Sequence, residues 1–371
     1  MESSGVKWVR LGDYIEQFRQ KCANNKAIVS GVDINKRFIP TRANLDGTDI
    51  SGYYLVPPTF FACNLMHIGR DERIPIAYND TDKDLVVTSA YYVFHIKQDK
   101  CDEILNEYLY IIFSNKEIDR LTWFYTDSSI RGNLKENRFL DIEIPLPSVA
   151  EQQKVVNAWR AFREIKEQNE AKAAPLMQLC QSYIQELKHK YPMQEIGPYL
   201  QFFKEKNKDN EIKLEQGINI AKEFITPQRS NSDLSSRIKV RTGQFAYCTQ
   251  LNNENVAISL RVGPDCVVSP VYEVFEIKKE YKHILNSEYL LLWLIRKEFG
   301  RYVYWSSVGS AYEFLRYDNL YSYKIPLPPI EVQQAIVNIY KCANEAKRIA
   351  EEADRLSREV CPALLQYVIH S

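Results

Sequence analysis

The chain has 371 residues, of which 45% are hydrophobic and 26% are charged, and its formal net charge is zero. This composition is typical of a folded protein with two or three domains and excludes a disordered chain. A protein that binds nucleic acid by itself is usually basic. If this chain binds nucleic acid, the balanced charge predicts that basic residues are concentrated on one face, or that a partner contributes part of the binding affinity.

No run of 18 apolar residues is present, and the opening MESSGVKWVRLGDY lacks the apolar core of a signal peptide. The eight cysteines are scattered without a C-x-x-C pair, which disfavours a zinc knuckle or a disulfide framework. We therefore expect a reduced, cytoplasmic protein without a membrane span.

The first mixed part of the chain, residues 1–147, contains short runs of Tyr, Phe, Val and Ile between Gly, Asn, Asp and Pro. This pattern is typical of strands and loops, and apolar spacing within 102–120 predicts one helix. A long helix is predicted over 148–190, because the preceding Pro-Leu-Pro enforces extended backbone and Ser148 with Glu151 matches a capping box.

The same layout follows a second time. Residues 192–328 form a second mixed part with one predicted helix over 283–300, and a second long helix is predicted over 329–369. Pro329 suits its first turn, where a missing N–H costs nothing. We call the two mixed parts the first head and the second head.

An internal repeat accounts for this layout. Residues 142–156 are IEIPLPSVAEQQKVV and residues 323–337 are YKIPLPPIEVQQAIV, 181 residues apart. The same offset relates 86–97 to 267–278, and a match over so many blocks predicts two copies of one structural unit.

Both long helices have coiled-coil-like apolar spacing. In the second it comprises Ile336, Ile339, Ala343, Ala346, Ala350, Ala353, Leu356 and Val360; in the first, Val155, Trp159, Phe162, Asn169, Ala173, Leu176, Cys180, Tyr183 and Leu187. Small residues in one helix opposite large ones in the other favour close packing between them. Pro175 and Pro362 predict a kink or a fresh turn.

We therefore predict an α+β protein: two similar α/β heads, 1–147 and 192–328, separated by two long antiparallel coiled-coil-like helices, 148–191 and 329–371, in a pseudo-twofold internal repeat. Forty helical residues span about 60 Å. Such a pair would hold two heads at a set distance, which suits two DNA half-sites about one turn apart. The alternative is two unrelated surface helices.

The whole chain resembles the specificity (S) subunit of type I restriction–modification systems. The resemblance is carried by the duplicated IPLP-x-x-x-x-Q-Q, by the block Val267-Val268-Ser269-Pro270-x-Tyr272-x-Val274-Phe275, and by the opening Val9-Arg10-Leu11-Gly12-Asp13. In the first head Thr88-Ser89-Ala90 stands where the second has Ser-Pro.

The resemblance implies that each head is a target recognition domain for one half of a split sequence in double-stranded DNA. The long helices would dock two methyltransferase subunits, and restriction subunits could join them. Cofactors are expected only in those partners: S-adenosylmethionine for adenine methylation, and ATP with Mg for cleavage.

The sequence contains no catalytic motif of its own that we would assign. Val56-Pro57-Pro58-Thr59-Phe60 lacks the polar first residue of an adenine methyltransferase box, and neither G-x-G-x-x-G nor a P-loop is present. Asp265 with Glu276-Ile277-Lys278 matches a metal-dependent nuclease pattern, which leaves a cryptic nuclease as an alternative. A pure assembly protein without DNA readout is a further alternative.

Polar and basic residues in predicted loops are the candidates for DNA contact, because Arg, Asn and Gln pair with base edges, whereas Ser and Lys pair with phosphates. They are Lys36, Arg37, Arg42, Arg70, Arg73, Ser129, Arg131 and Asn133 in the first head, and Lys222, Arg229, Arg237, Lys239, Arg241, Tyr312 and Arg316 in the second. The candidates for contact with the methyltransferase subunit are Gln152, Gln153, Trp159, Gln333 and Gln334.

Overall fold

A computed structural model describes residues 6–22, 28–41, 49–66, 68–127, 132–228, 233–251, 254–307, 315 and 317–370. The chain forms two compact units. Met1–Asn169 with Ile349–Ser371 make the first unit, and Glu170–Arg348 make the second. The boundary between them falls inside both long helices, so each unit contains one head and one half of each helix.

Within its described residues the first unit contains ten strands, five short helices and part of each long helix. The strands are β1 (Lys7–Arg10), β2 (Ile15–Gln17), β3 (Ile28–Val32), β4 (Phe38–Pro40), β5 (Tyr54–Val56), β6 (Phe61–Cys63), β7 (Ile76–Tyr78), β8 (Leu85–Val87), β9 (Tyr92–Ile96) and β10 (Glu143–Leu146). The helices are α1 (Leu11–Tyr14), α2 (Ile68–Asp71), α3 (Asn106–Phe113), α4 (Lys116–Phe124), α5 (Glu136–Leu140) and α6 (Val149–Lys190).

The second unit also has ten strands in its described residues, with fewer short helices. Its strands are β11 (Met193–Glu195), β12 (Leu200–Phe203), β13 (Gly217–Ile218), β14 (Phe224–Ile225), β15 (Ile238–Val240), β16 (Phe245–Cys248), β17 (Ile258–Leu260), β18 (Cys266–Val268), β19 (Tyr272–Ile277) and β20 (Lys324–Pro326). Its helices are α7 (Ser287–Leu294), α8 (Lys297–Ser307), α9 (Tyr317–Tyr321) and the start of α10 (Ile330–His370).

Sheet order confirms the internal repeat. The first unit has a sheet of order β2-β9-β6-β7 and the second has one of order β12-β19-β16-β17. In each unit the strand that carries the IPLP motif pairs antiparallel with the first strand of its own head, β10 with β1 and β20 with β11. The motif therefore closes each head before the long helix begins.

The long helices are confirmed to within one residue at each end. The Glu151 amide donates to Ser148 Oγ at 3.3 Å, so Ser148 caps α6 as predicted. In the second copy the Val332 amide donates to the Pro329 carbonyl at 3.0 Å, immediately before α10. Pro175 and Pro362 lie inside the helices.

The predictions of one helix over 102–120 and one over 283–300 are wrong, because each segment forms two helices. Asn115 has extended backbone between α3 and α4, and its side chain accepts the Glu117 amide at 3.0 Å. This cap starts a new helix where apolar spacing alone predicted continuation.

Each unit has its main core between its sheet, its short helices and its two long-helix halves. In the first unit, Val155 and Val156 of α6 share the core with Cys361, Leu365, Val368 and Ile369 of α10. Lys166 Nζ, later in α6, lies 2.8 Å from Asp354 Oδ1, earlier in α10, so these halves run antiparallel. In the second unit, Cys180, Ile184 and Leu187 share a core with Ile336 and Val337.

Among the described helices, none combines the length and the apolar composition needed to cross a bilayer.

Candidate nucleic-acid interface

The first glutamine of each QQ pair is wholly buried. Gln152 Nε2 donates to the carbonyls of Glu103 (2.8 Å) and Pro147 (3.0 Å), and its Oε1 accepts the Leu105 amide at 3.0 Å. Gln333 repeats this pattern with the Ile284 carbonyl, the Pro328 carbonyl and the Asn286 amide. Both side chains have 0% exposure. This burial corrects the expectation of partner contact: these two glutamines bind the start of each long helix to its own head.

The second glutamine of each pair lies nearer the surface. Gln153 Nε2 donates to Asn157 Oδ1 at 2.8 Å, and Gln334 Nε2 donates to Asn338 Oδ1 at 2.9 Å. Both remain candidates for partner contact.

Trp159 is half-buried on α6, at a polar cleft of the first unit. Its ring packs edge-on to Tyr110 with centroids 5.8 Å apart, and the Arg163 guanidinium lies 5.3 Å from the ring centroid. Arg160 pairs with Glu107 and Arg163 with Asp80 across the cleft. The cleft is lined by Tyr78, Asp80, Glu107, Trp159, Arg160, Arg163, Glu164 and Glu167. Trp159 thus contributes both to the core and to a charged surface.

Two of the candidate lysines point inward from equivalent turns. Lys36 and Lys222 both have left-handed backbone, with φ of 64° and 67°. Lys36 is buried, with Nζ 2.6 Å from Asp119 Oδ1 and 3.2 Å from the Ile74 carbonyl. Burial lowers the pKa of Lys36, against the opposing effect of the Asp119 carboxylate. Lys222 donates to the Val256 carbonyl, and burial lowers its pKa too.

The inward direction of Lys36 corrects its assignment to DNA contact, because its ammonium group is buried and paired with the Asp119 carboxylate. Its neighbour Arg37 is exposed and pairs with Asp354 of α10 in the same unit.

Two candidate loops of the first head are brought together. The Leu134 amide donates to the Leu65 carbonyl at 2.8 Å, and the Gly69 amide donates to the Gly132 carbonyl at 3.0 Å. A Cβ on Gly132 would lie 2.3 Å from Gly69 Cα, so the contact requires glycine there. In the second head the Leu315 amide donates to the Thr249 carbonyl at 2.8 Å, so this junction is also repeated.

The junction in the first head carries three candidates. Arg70 is exposed and pairs with its neighbour Asp71 at 2.8 Å, and Arg73 is exposed as well. Asn133 is half-buried, and its backbone amide donates to Asp127 Oδ1 at 3.0 Å.

The basic candidates of the second head are surrounded by carboxylates. Lys239 is buried, 3.3 Å from each of Glu205, Asp209 and Glu211, and Arg237 Nε lies 2.5 Å from Glu215 Oε1. Arg241 is exposed and donates to both Glu205 oxygens at 3.1 Å, which holds the pKa of that carboxyl below its usual range.

This arrangement corrects the assignment of Lys239 to DNA contact, whereas Arg241 keeps an exposed guanidinium. Six further candidates lie outside the described residues: Arg42, Ser129, Arg131, Arg229, Tyr312 and Arg316.

The carboxylates of the nuclease pattern are each bound to neighbours. Asp265 Oδ1 accepts the Thr242 amide at 2.8 Å, and Glu276 Oε2 accepts Gln244 Nε2 at 3.4 Å. Within the part of the chain that the structure describes, no group of three His, Cys, Asp or Glu side chains is placed to hold a metal ion.

Exposed aromatic side chains at the ends of α4 and α8 form a feature that the loop-based search did not assign. Phe124 is 77% exposed and Trp305 is 75% exposed, at positions related by the repeat offset of 181. The sequence alone shows these residues in the aromatic runs Trp123-Phe124-Tyr125 and Tyr304-Trp305, which flank candidate loops, and the repeat offset pairs them.

A family model described as type I restriction modification DNA specificity domain matches residues 73–174 and 186–342. Among solved structures, the crystal structure of the type I restriction–modification system S subunit from M. genitalium is similar in fold, with a TM-score of 0.64. It is 12% identical, over 99% of this chain and 97% of that chain. The HsdS subunit from Thermoanaerobacter tengcongensis is 16% identical over 99% and 97%, with a TM-score of 0.41. No curated protein matches the chain significantly.

The family match covers more than half of the chain and falls once on each head. The chain therefore belongs to the family of type I restriction–modification DNA specificity domains.

Proposed function

We propose that this chain is a non-catalytic specificity subunit that recognises a bipartite sequence in double-stranded DNA for methyltransferase subunits bound to it. One observation carries the proposal: the DNA specificity domain is present twice, each copy with the same sheet order and the same glutamine anchor to a long helix. Two recognition modules in one chain suit a target with two separate half-sites.

The exposed candidates are the ones we retain for DNA contact. Arg37, Arg70, Arg73 and Arg241 have exposed guanidinium groups, suited to phosphates or to guanine edges. With zero net charge and several of these groups beside carboxylates, the chain by itself should bind DNA weakly and with strong salt dependence. Stable binding would need the methyltransferase subunits.

We assign partner binding to the long helices. Gln153, Gln334 and the Trp159 cleft are the surfaces on or beside these helices that we expect two methyltransferase subunits to contact. S-adenosylmethionine would then belong to those subunits, and ATP and Mg to any restriction subunits that join.

The direct test is to map methylated adenines in host DNA with and without this gene. We expect one interrupted sequence to lose its methylation when the gene is absent. A purified complex of the chain with its methyltransferase subunits should shift a duplex that carries this sequence.

Exchange of one head for that of a relative separates DNA reading from assembly alone. We expect one half of the methylated sequence to change while the other half persists. A methylated sequence that stays constant after the exchange would contradict readout by the heads and favour the pure assembly protein.

A further inference from the structure

One helix of each head repeats the same outward-facing residues. Helix α4 has the sequence KEIDRLTWF and α8 begins KEFGRYVYW, so Lys116, Arg120 and Phe124 correspond to Lys297, Arg301 and Trp305. In both helices these residues are spaced by four, which places them along one face.

The orientation of this face is determined by the opposite face, which is buried. Ile118 and Thr122 are 8% and 0% exposed in α4, and Phe299 and Val303 are 0% exposed in α8. Lys116, Arg120, Lys297 and Arg301 are exposed by contrast. A large aromatic side chain that is three-quarters exposed contributes little to its own core, and its recurrence at the same place in two heads calls for a function.

In both helices the exposed residues four and eight positions before the aromatic residue are cations. Asp119 points inward to Lys36, and Glu298 is bound by Arg296 at 2.7 Å, so neither offsets the outward cations fully. Glu117 pairs with Arg120 at 2.9 Å, but both side chains are more than 60% exposed, so solvent weakens this pair.

In the first head two further arginines lie near this helix, of which Arg70 pairs with Asp71. Helix α4 contacts α2, which carries the exposed Arg70. Arg138 NH1 donates to the Tyr125 carbonyl at 2.8 Å, directly after Phe124. The aromatic end of α4 therefore adjoins the repeated loop junction with its DNA-contact candidates.

We propose that these two helix faces bind duplex DNA, with Phe124 and Trp305 packing against bases and Lys116, Arg120, Lys297 and Arg301 contacting phosphates. This inference rests on the proposed function and adds the residues that contact the duplex. An apolar side chain between cations fits duplex DNA, because such a side chain can insert at a base step while the cations contact the regularly spaced phosphates. A protein partner would be expected to cover a broader apolar patch with fewer charges at its centre.

The test uses the full chain assembled with its methyltransferase subunits and a labelled duplex carrying the mapped target. Phe124→Ala and Trp305→Ala should each weaken binding about 5- to 100-fold, as expected for loss of one base–aromatic contact of roughly 1–3 kcal/mol. The dependence of affinity on salt should stay the same for these two variants. Arg120→Ala should instead reduce the slope of log affinity against log salt by about 1.

Three controls make the assignment specific. Phe124→Trp should retain affinity and Phe124→Asn should not, because a wedge at a base step needs a large apolar side chain. Trp8→Ala removes an aromatic side chain that is 54% exposed on β1 of the first head, and it should leave DNA affinity unchanged. The loss of affinity caused by Phe124→Ala should disappear on a duplex in which one half-site is scrambled. The loss caused by Trp305→Ala should disappear when the other half-site is scrambled.

Wild-type affinity in both alanine variants would overturn the inference. So would failure of these variants to assemble with the methyltransferase subunits, because the face would then be a protein interface. A wild-type complex that binds its target and a scrambled duplex equally well would contradict the proposed function itself. That comparison comes before any variant is tested.

Discussion

The buried glutamines explain at the level of single residues why the QQ motif is repeated. An amide side chain provides two donors and one acceptor, and Gln152 uses all of them on backbone groups of the loop before α3 and of the Pro-Leu-Pro segment. A glutamate at this position would lose both donors.

Gln152→Ala should therefore destabilise the protein by about 2–4 kcal/mol, because it leaves buried carbonyls and an amide without partners. Gln153→Ala, one residue away and nearer the surface, should change stability by no more than about 0.5 kcal/mol. Urea unfolding of the two variants checks this, and equal midpoints would contradict the buried anchor.

Lys36 gives a second prediction at this scale. Lys36→Ala should cost about 3–5 kcal/mol, because it leaves the Asp119 carboxylate buried without its cation. The double variant Lys36→Met with Asp119→Asn should recover much of this loss, since no charge remains buried and the amide can still accept the Ile74 N–H.

Arg73→Ala is the matched control, because it removes an exposed cation from the same head. It should leave the unfolding midpoint unchanged while reducing the salt slope of DNA binding in the assembled complex. If Lys36→Ala gave that result instead, the lysine would contact DNA and not the interior.

At the scale of elements, one tyrosine in each unit connects a short helix to the strand that precedes the long helix. Tyr108 of α3 donates to the Pro145 carbonyl at 3.1 Å, and Tyr289 of α7 donates to the Pro326 carbonyl at 2.9 Å. Burial raises the pKa of both hydroxyls well above the ordinary value of 10.0.

Because the unfolded chain releases these protons first, the stability they contribute is complete below pH 10 and decreases as the pH rises above it. The double variant Tyr108→Phe and Tyr289→Phe should lose about 1 kcal/mol per site at pH 7 and should depend less on pH above 10. Thermal unfolding between pH 7 and pH 11 measures this. An equally steep alkaline loss in the variant would show that other groups govern it.

At the scale of the whole molecule, the first unit is completed by a segment distant in sequence, whereas the second unit is the continuous stretch Glu170–Arg348. The last half of α10 belongs to the first unit, where Leu365 is 2% exposed in the core. The second head precedes this segment in the chain, yet the segment contributes nothing to the core described for the second unit.

Leu365→Ala should therefore destabilise the first unit by about 2–5 kcal/mol through the cavity it creates. Hydrogen exchange should accelerate in 6–169 and remain unchanged in 170–348. Tyr367→Ala, an exposed neighbour in the same turn, should change neither. Faster exchange in the second unit alone would contradict this division.

The sequence alone determined the repeat, the two long helices and the family, because apolar periodicity, helix caps and motif order can be read from neighbouring residues in the chain. Ser148 and Pro329 were sufficient to place both helix starts. The split of each short helical segment was missed, because the cap at Asn115 competes with a spacing that continues through it.

Only the tertiary structure decided where each side chain points. Lys36, Lys239 and Gln152 are polar residues of the kind usually found at a surface. They are buried because carboxylates or backbone groups from distant segments surround them. Phe124 and Trp305 are large aromatic residues of the kind usually found in a core. They are exposed because the opposite face of each helix packs against the core. Residue type and spacing set which elements form, whereas the direction of a side chain depends on what packs against its element from elsewhere in the chain.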